Sequence, residues 1–152
     1  MKYQHALVIS LIIVLSVSYF AGYTPILLGI GYGVLSVMTY YLYAKDKKSA
    51  QNNQWRISEN TLHISALLGG WPGALIAQNR LRHKTQKVKF RMVFGLTLLM
   101  NISLLIWMHT EQGSQLIQTM LNHYHAWIVT NWNENPTALQ LLQLTHLRPK
   151  LF

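Results

Sequence analysis

Three long apolar runs constrain this chain more than any other feature of its sequence. They lie at residues 6–23, 25–44 and 90–108, and the first carries no charged residue. As a helix, the first run would reach about 27 Å, close to the thickness of the hydrocarbon core of a bilayer. Only 11% of the residues are charged, against about 25% in soluble proteins. We therefore predict an all-α integral membrane protein with three transmembrane helices.

The first two runs are predicted to form a helical hairpin. A signal peptide is the alternative for the first run, but the run is long for one and no A-x-A-like cleavage site follows it. Thr24 and Pro25 are predicted to make a tight turn between the two helices, because proline suits the first position of a helix. Tyrosines at the end of the second run are followed directly by lysines from Lys45 onward. This pattern is typical of an aromatic belt at a cytoplasmic interface.

A fourth apolar segment, residues 62–77, is short and is interrupted at its centre. The interruption contains Gly69, Gly70, Pro72 and Gly73. Proline removes a helical hydrogen bond and glycine weakens a helix further, so we predict a break here. The simplest role for these residues is a bend that lets helices pack closely. The alternative is a ligand cradle made of exposed backbone N–H groups at a broken helix end.

Basic residues flank this broken segment on both sides and decide its predicted topology. Ten of the thirteen Lys and Arg residues lie between Lys45 and Arg91. A segment that spanned the membrane would put one basic flank outside, against the positive-inside rule. A re-entrant hairpin keeps both flanks in the cytoplasm and buries its broken backbone against other helices. We favour the re-entrant hairpin over a short span, with the N-terminus in the cytoplasm and the C-terminal tail outside.

The chain divides on this reasoning into a membrane domain at residues 1–108 and a tail at residues 109–152. The tail holds two acidic and two basic residues. Residues 114–132 and 136–147 both show the apolar spacing of amphipathic helices. The second helix, or both, is a candidate to lie on the membrane surface.

A helix start is predicted just before the broken segment. Ser58 is a suitable N-cap, and Glu59 lies in the first turn, where the helix dipole favours an anion. His63 follows four residues later and shares a helical face with Glu59. The simplest interpretation is that Glu59 orients His63 or pairs with Arg56. The functional alternative is a carboxylate–imidazole pair for proton transfer, with His63 or His83 as the acid–base group.

The basic run at residues 79–91 is the strongest candidate for a binding site. The simplest interpretation is a topology signal that also attracts anionic lipid headgroups. A sharper one is a site for a phosphate or pyrophosphate group, in which Arg supplies a bidentate fork and Lys a point charge. Nucleic acid fits less well, because interleaved aromatic residues and a nucleic-acid-binding fold are missing. The candidate anion-binding residues are Lys47, Arg82, His83, Lys84, Thr85 and Lys87.

The remaining polar residues give weaker signals. We predict a structural salt bridge for Asp46, with Lys47 or Arg82 as its partner. The chain has no cysteine, which excludes disulfides, thiolate metal sites and cysteine nucleophiles. Glu59 and His63, four residues apart, are a weak pattern for a metal site. His83 could join them only if the hairpin folds back. We therefore assign no metal and no cofactor.

Several motifs together resemble a known bacterial membrane-protein family. Y-x-x-D-K-x-x-A fits residues 43–50, W-R-I-x-E-x-x-L-H fits residues 55–63, and R-H-K-T-x-K-x-x-F fits residues 82–90. They resemble, in the same order, the family catalogued as domain of unknown function 1294, over about residues 40–107. The chain departs from that pattern at Ser58, where proline is common.

This resemblance implies an inner-membrane location and supplies no reaction. Some members of that family carry a cold-shock domain ahead of the membrane part. We expect none here, because an apolar hairpin occupies the start of the sequence.

The sequence supports three hypotheses for function. The first is a non-enzymatic membrane module whose basic cytoplasmic face binds anionic lipid headgroups or a phosphorylated small molecule. The second is a membrane enzyme that acts on a lipid-linked phosphate. The third is a structural subunit of a membrane complex. We favour the first, expect no nucleic-acid partner, and leave the oligomeric state open.

Overall fold

The computed structural model describes residues 2–81 and 87–132, together with Thr137, Gln140 and Leu142. A π-helical turn, Ala66–Gly70, joins the third helix to the fourth. No strand occurs among the described residues, in agreement with the predicted all-α class. The helices are α1 (Lys2–Phe20), α2 (Ile26–Gln51), α3 (Glu59–Ser65), α4 (Trp71–Leu81), α5 (Val88–Met108) and α6 (Glu111–Trp132).

The chain folds as two compact units. Unit 1 draws on Met1–Leu11 and Ile30–Ser103, and unit 2 draws on Ile12–Gly29 and Leu104–Phe152. Unit 1 holds α3, the π turn, α4 and most of α2 and α5. Every described residue that the sequence nominates for a site therefore belongs to unit 1.

Two helices, α2 and α5, are long and apolar enough to cross a membrane. The most apolar 18-residue stretches of α2 and α5 have mean hydropathies of 1.5 and 1.7, yet only 17% and 28% of these stretches is buried inside the protein. Most of their apolar surface thus faces outward, unlike that of a core helix in a soluble protein. Within α1, His5–Phe20 forms a shorter apolar helix, so a third span at α1 stays a prediction.

The end of α2 differs from the prediction. The helix continues to Gln51 instead of ending near Ala44, and its residues Tyr43, Asp46 and Ser49 are buried. Their spacing of three puts these side chains on one helical face. Packing of that face extends the helix seven residues past the apolar run at residues 25–44.

The remaining boundaries concern the basic run and the tail. Of the basic run, residues 79–81 belong to α4 and residues 88–91 to α5, and residues 82–86 lie outside the described residues. The first predicted tail helix is present as α6 and begins three residues early, at Glu111. The second, at residues 136–147, lies outside the described residues except for three of its positions.

The break predicted within residues 62–77 is present. Gly69 has φ of 115° and ψ of −2°, a conformation that glycine adopts far more easily than other residues. The helix start predicted ahead of the break is also confirmed. The Oγ atom of Ser58 accepts a hydrogen bond from the backbone N–H of Thr61 at 3.1 Å, so Ser58 caps α3. The segment is therefore two short helices, α3 and α4, that meet at the π turn.

The break packs closely against α2. A Cβ atom on Gly73 would collide with the backbone carbonyl of Ser36. A Cβ atom on Gly70 would collide with the Thr39 hydroxyl and would lie 2.8 Å from the carbonyl oxygen of Leu35. Because only a hydrogen fits at either position, these two glycines set the distance between the α3–α4 hairpin and α2.

Polar side chains from α2 and α5 meet the broken backbone. Asn101 of α5 is buried, and its Nδ2 donates to the carbonyl oxygen of Leu67 at 2.9 Å. The Tyr32 hydroxyl of α2 donates to Asn101 Oδ1 at 3.1 Å. These bonds supply partners for backbone groups that the break leaves without helical ones.

Replacement of Gly73 tests the contact between α4 and α2. We expect Gly73→Ala to lower the free energy of unfolding by about 1–3 kcal/mol, the usual cost of overpacking. The matched control is Gly95→Ala in α5, because a Cβ atom on Gly95 would meet nothing within 4 Å. Alanine is the better helix former by about 1 kcal/mol, so the control should unfold at or above the wild-type temperature. Thermal unfolding of the purified variants in detergent measures both, and equal stability of the two would contradict this packing.

Candidate functional site

Four parts of unit 1 meet at the end of α2 that carries the lysines. They are the end of α2, the residues that lead into α3, the end of α4 and the residue before α5. We call this region the basal cluster, and it comprises Asp46, Lys47, Arg56, Ile57, Glu59, Leu81 and Lys87.

Asp46 ties the chain before α3 to α2. Its side chain is fully buried, and Oδ1 accepts from the backbone N–H of Ile57 at 3.1 Å. The Nε atom of Arg56 lies 3.5 Å from the same oxygen, with half of the Arg56 side chain exposed. A buried carboxylate requires partners of this kind. Among the described residues the ion pair is with Arg56 rather than Lys47, and the predicted pairing with Arg82 lies outside the described residues.

Lys47 ties the end of α4 to the same part of α2. Its Nζ atom donates to the carbonyl oxygen of Leu81, the last residue of α4, at 2.8 Å. The last carbonyls of a helix lack partners within the helix and carry partial negative charge. Lys47 therefore caps α4, and one of its three N–H donors is used within the protein.

Glu59 and Lys87 join the start of α3 to the start of α5. The Nζ atom of Lys87 lies 2.9 Å from each carboxylate oxygen of Glu59. Both side chains are partly exposed, and surface pairs contribute at most about 1 kcal/mol. The pair matters for position more than for stability, because it brings together the two flanks of the broken segment.

His63 lies one turn beyond Glu59 on α3, in aromatic surroundings. Its ring packs on that of Phe90, with centroids 4.3 Å apart. Phe90 also meets Tyr43 edge-on at 6.2 Å, and the Tyr43 hydroxyl accepts from Gln78 Nε2 at 3.3 Å. These contacts give His63 a packing role between α3 and α5.

The remaining candidates fall beyond the described part of the chain. Arg82, His83, Lys84 and Thr85 lie outside the described residues, so the predicted anion site and the role of His83 stay predictions. The described residues on either side of this stretch, Leu81 and Lys87, both belong to the basal cluster.

Positive charge surrounds the basal cluster. Asp46 is buried and Glu59 is paired with Lys87, so little negative charge reaches the surface here. In the described part of this end of unit 1, the exposed basic residues are Lys45, Lys48, Arg56, Arg80, Lys87, Lys89 and Arg91.

Two polar contacts were missed by reasoning from the sequence. Asn101 offered a signal, because it is an amide in the middle of an apolar run. In unit 2, Ser18 Oγ lies 2.7 Å from His109 Nε2 and accepts from the Thr24 hydroxyl at 3.0 Å. His109 Nδ1 lies 2.7 Å from the Leu105 carbonyl, which can only accept, so in the neutral imidazole Nδ1 carries the proton and Ser18 donates to Nε2. No spacing pattern indicates a pair 91 positions apart.

Substitution of Asp46 tests how firmly the chain before α3 is held. Asp46→Ala leaves the Ile57 N–H without its acceptor, and we expect a loss of about 1–3 kcal/mol in the free energy of unfolding. Asp46→Asn keeps an oxygen for that N–H and should cost less. Glu59→Gln is the control, since an exposed pair contributes at most about 1 kcal/mol. Denaturant unfolding in detergent measures the stability of all three variants. An Asp46→Ala variant as stable as Glu59→Gln would show that the Asp46–Ile57 hydrogen bond contributes little to stability.

Comparison with known proteins points to the same part of the chain. The family described as "Protein of unknown function (DUF1294)" matches residues 36–90. This stretch runs from the Ser36 contact in α2, through the α3–α4 hairpin, to Phe90 in α5. It therefore includes both the close packing at the break and the basal cluster.

A relative extends the match. The uncharacterized protein YsdA of Bacillus subtilis (strain 168) is 30% identical over 73 residues, which are 48% of this chain and 80% of that protein. No solved structure matches the chain. The motif resemblance found in the sequence is thus confirmed, and the chain belongs to the DUF1294 family of proteins of unknown function.

Proposed function

We propose that this chain is a multi-pass protein of the bacterial inner membrane whose basic cytoplasmic end binds phosphate-bearing anions. Anionic lipid headgroups are the favoured ligand. In this proposal the α3–α4 hairpin enters the bilayer from the cytoplasm and returns to it. The observation that carries the proposal is that both ends of the hairpin lie at the basal cluster.

The contacts at the basal cluster favour a re-entrant path over a span. The chain before α3 is bonded to Asp46, and the end of α4 is bonded to Lys47, the next residue of α2. A spanning segment would separate its two ends by the thickness of the membrane. Ends that bond to adjacent residues of one helix favour entry and exit on the same side.

The depth of the hairpin agrees between two helices. Its broken turn is bonded to Asn101, which is bonded to Tyr32. Gly70 of the turn lies against Leu35 and Thr39 of α2, which precede Asp46 by eleven and seven residues, about 17 and 10 Å along a helix. Leu67 follows Ile57 by ten residues, at most about 15 Å along a helix. The turn then reaches about halfway across a hydrocarbon core of about 30 Å.

The distribution of side chains supports a membrane setting. Both α2 and α5 carry exposed apolar residues beyond the basal cluster, and basic residues gather at one end. This is the pattern of helices in lipid with a cytoplasmic, positively charged end. The exposed apolar residues include Val34, Val37, Met38, Met92, Leu96 and Leu99.

Lipid headgroups and soluble phosphorylated ligands share the chemistry that this end would recognise. Lys47 and Lys87 are engaged within the protein, so binding rests on the exposed bases and on Arg82, His83, Lys84 and Thr85. Each basic residue near an anionic membrane surface contributes about 1 kcal/mol to the free energy of binding. A non-enzymatic role fits best, because His63 packs on Phe90 and Glu59 is bonded to Lys87.

A titration with two lipids tests the binding proposal. We expect the purified protein to bind short-chain phosphatidylglycerol more tightly than short-chain phosphatidylcholine. The triple variant Arg82→Gln, Lys84→Gln, Lys89→Gln should weaken phosphatidylglycerol binding about a hundredfold at low salt, at about 1 kcal/mol per charge. Added salt should shrink that difference. The matched control, Gln140→Glu, Arg148→Gln, Lys150→Gln, lowers the net charge by the same three units in the C-terminal tail and should bind nearly as wild type. Isothermal titration calorimetry measures each dissociation constant.

Further measurements distinguish between the alternative ligands and functions. Inorganic pyrophosphate that binds and displaces phosphatidylglycerol would identify a soluble phosphorylated ligand as the preferred source of the anion. Equal loss of phosphatidylglycerol affinity in both triple variants, or equal affinity for the two lipids, would overturn the proposal.

Release of phosphate from a lipid-linked phosphate by the wild type, but not by His63→Ala or His83→Ala, would favour the enzyme instead. Co-purification of a stoichiometric second protein in mild detergent would favour the structural subunit.

A further inference from the structure

Trp55 is the most exposed large apolar side chain described in the structure. It is 98% exposed, whereas Trp71 in the hairpin is 2% exposed. Trp55 lies between α2 and α3, immediately before Arg56 of the basal cluster. An indole held fully outside the protein calls for a partner, because tryptophan is among the side chains that gain most from leaving water.

The backbone around Trp55 is fixed by hydrogen bonds on both sides. The N–H of Asn52 donates to the Lys48 carbonyl at 3.1 Å, and the N–H of Gln54 donates to the Ser49 carbonyl at 2.9 Å. On the other side, the N–H of Ile57 is bonded to buried Asp46. The exposed indole is therefore presented by an ordered turn.

The charges around Trp55 identify the chemistry of its partner. Lys45 and Lys48 at the end of α2 are exposed, and half of the Arg56 side chain is exposed. The neighbouring carboxylate, Asp46, is buried. A single indole amid positive charge is complementary to a surface that is apolar beneath an anionic layer, which is the structure of an anionic bilayer.

The depth of Trp55 fits that surface. Asp46 is bonded to Arg56 and Ile57, which directly follow Trp55. Asp46 lies two residues beyond the apolar run at residues 25–44, about 3 Å along α2. The headgroup layer on each side of a bilayer is about 5–8 Å thick, and tryptophan is enriched at this level.

We propose that Trp55 inserts into the headgroup layer of the cytoplasmic leaflet and, with Lys48 and Arg56, fixes the depth of the basal cluster against anionic lipid. This inference rests on the proposed function for the membrane placement of α2 and α5. It adds a specific contact residue outside the predicted anion site and commits to lipid as its partner.

Fluorescence of the full chain in proteoliposomes tests the inference. The difference in emission between wild type and Trp55→Phe isolates the signal of Trp55. In phosphatidylglycerol vesicles we expect this signal to be blue-shifted, shielded from aqueous acrylamide, and quenched by lipids brominated near the headgroup more than by lipids brominated near the chain end. The control carries Asn52→Trp with Trp55→Phe, which moves the indole three positions along the same turn and should be quenched less.

Three results would overturn the inference. They are a Trp55 signal as accessible to acrylamide as free tryptophan, no quenching by either brominated lipid, or equal quenching of the Asn52→Trp control. Because Trp55 is almost fully exposed, Trp55→Phe should fold, and unchanged thermal unfolding verifies this. If Trp55 fails the test while phosphatidylglycerol binding by the wild type persists, this inference alone is wrong. If that binding is also absent, the proposed function is wrong as well.

Discussion

The close contact between the broken helix and α2 is the constraint on which unit 1 depends. Gly73 lies directly against the Ser36 backbone, and Gly70 lies against Thr39. A side chain at either glycine would push the hairpin away from α2. Separation would also disturb the Tyr32–Asn101–Leu67 chain of hydrogen bonds that bonds the broken turn. Small residues at a helix interface and polar side chains that bond to freed backbone are the two devices that stabilise irregular structure in lipid.

The basal cluster is the counterpart of this contact at the other end of the hairpin. Adjacent residues of α2, Asp46 and Lys47, bond to the chain before α3 and to the end of α4. The Glu59–Lys87 pair adds the start of α5. Some of the charged side chains at this end thus hold the hairpin closed, and the proposed anion binding would use the exposed ones.

Local chemistry allowed much of this to be predicted from the sequence. The break followed from glycine and proline inside an apolar segment, and the start of α3 followed from Ser58. The extension of α2 to Gln51 was missed, because it depends on burial of Asp46 and Ser49 against other elements. The partner of Arg56 was missed for the same reason. The sequence suggested that Arg56 pairs with Glu59, whereas its ion pair in the structure is with Asp46. Spacing along one helix carries no information about contacts between helices, so Lys87 could not be assigned to Glu59.

Cysteine labelling in intact cells tests the central claim, the re-entrant path, most directly. The chain contains no cysteine, so single cysteines at Gln51, Gln86 and Gln115 need no background substitutions. A membrane-impermeant maleimide should label the chain at Gln115 only, which would put both flanks of the α3–α4 hairpin in the cytoplasm. Labelling at Gln86 with Gln51 protected would mean that the segment spans the membrane. The shared basal cluster, and the binding function built on it, would then be contradicted.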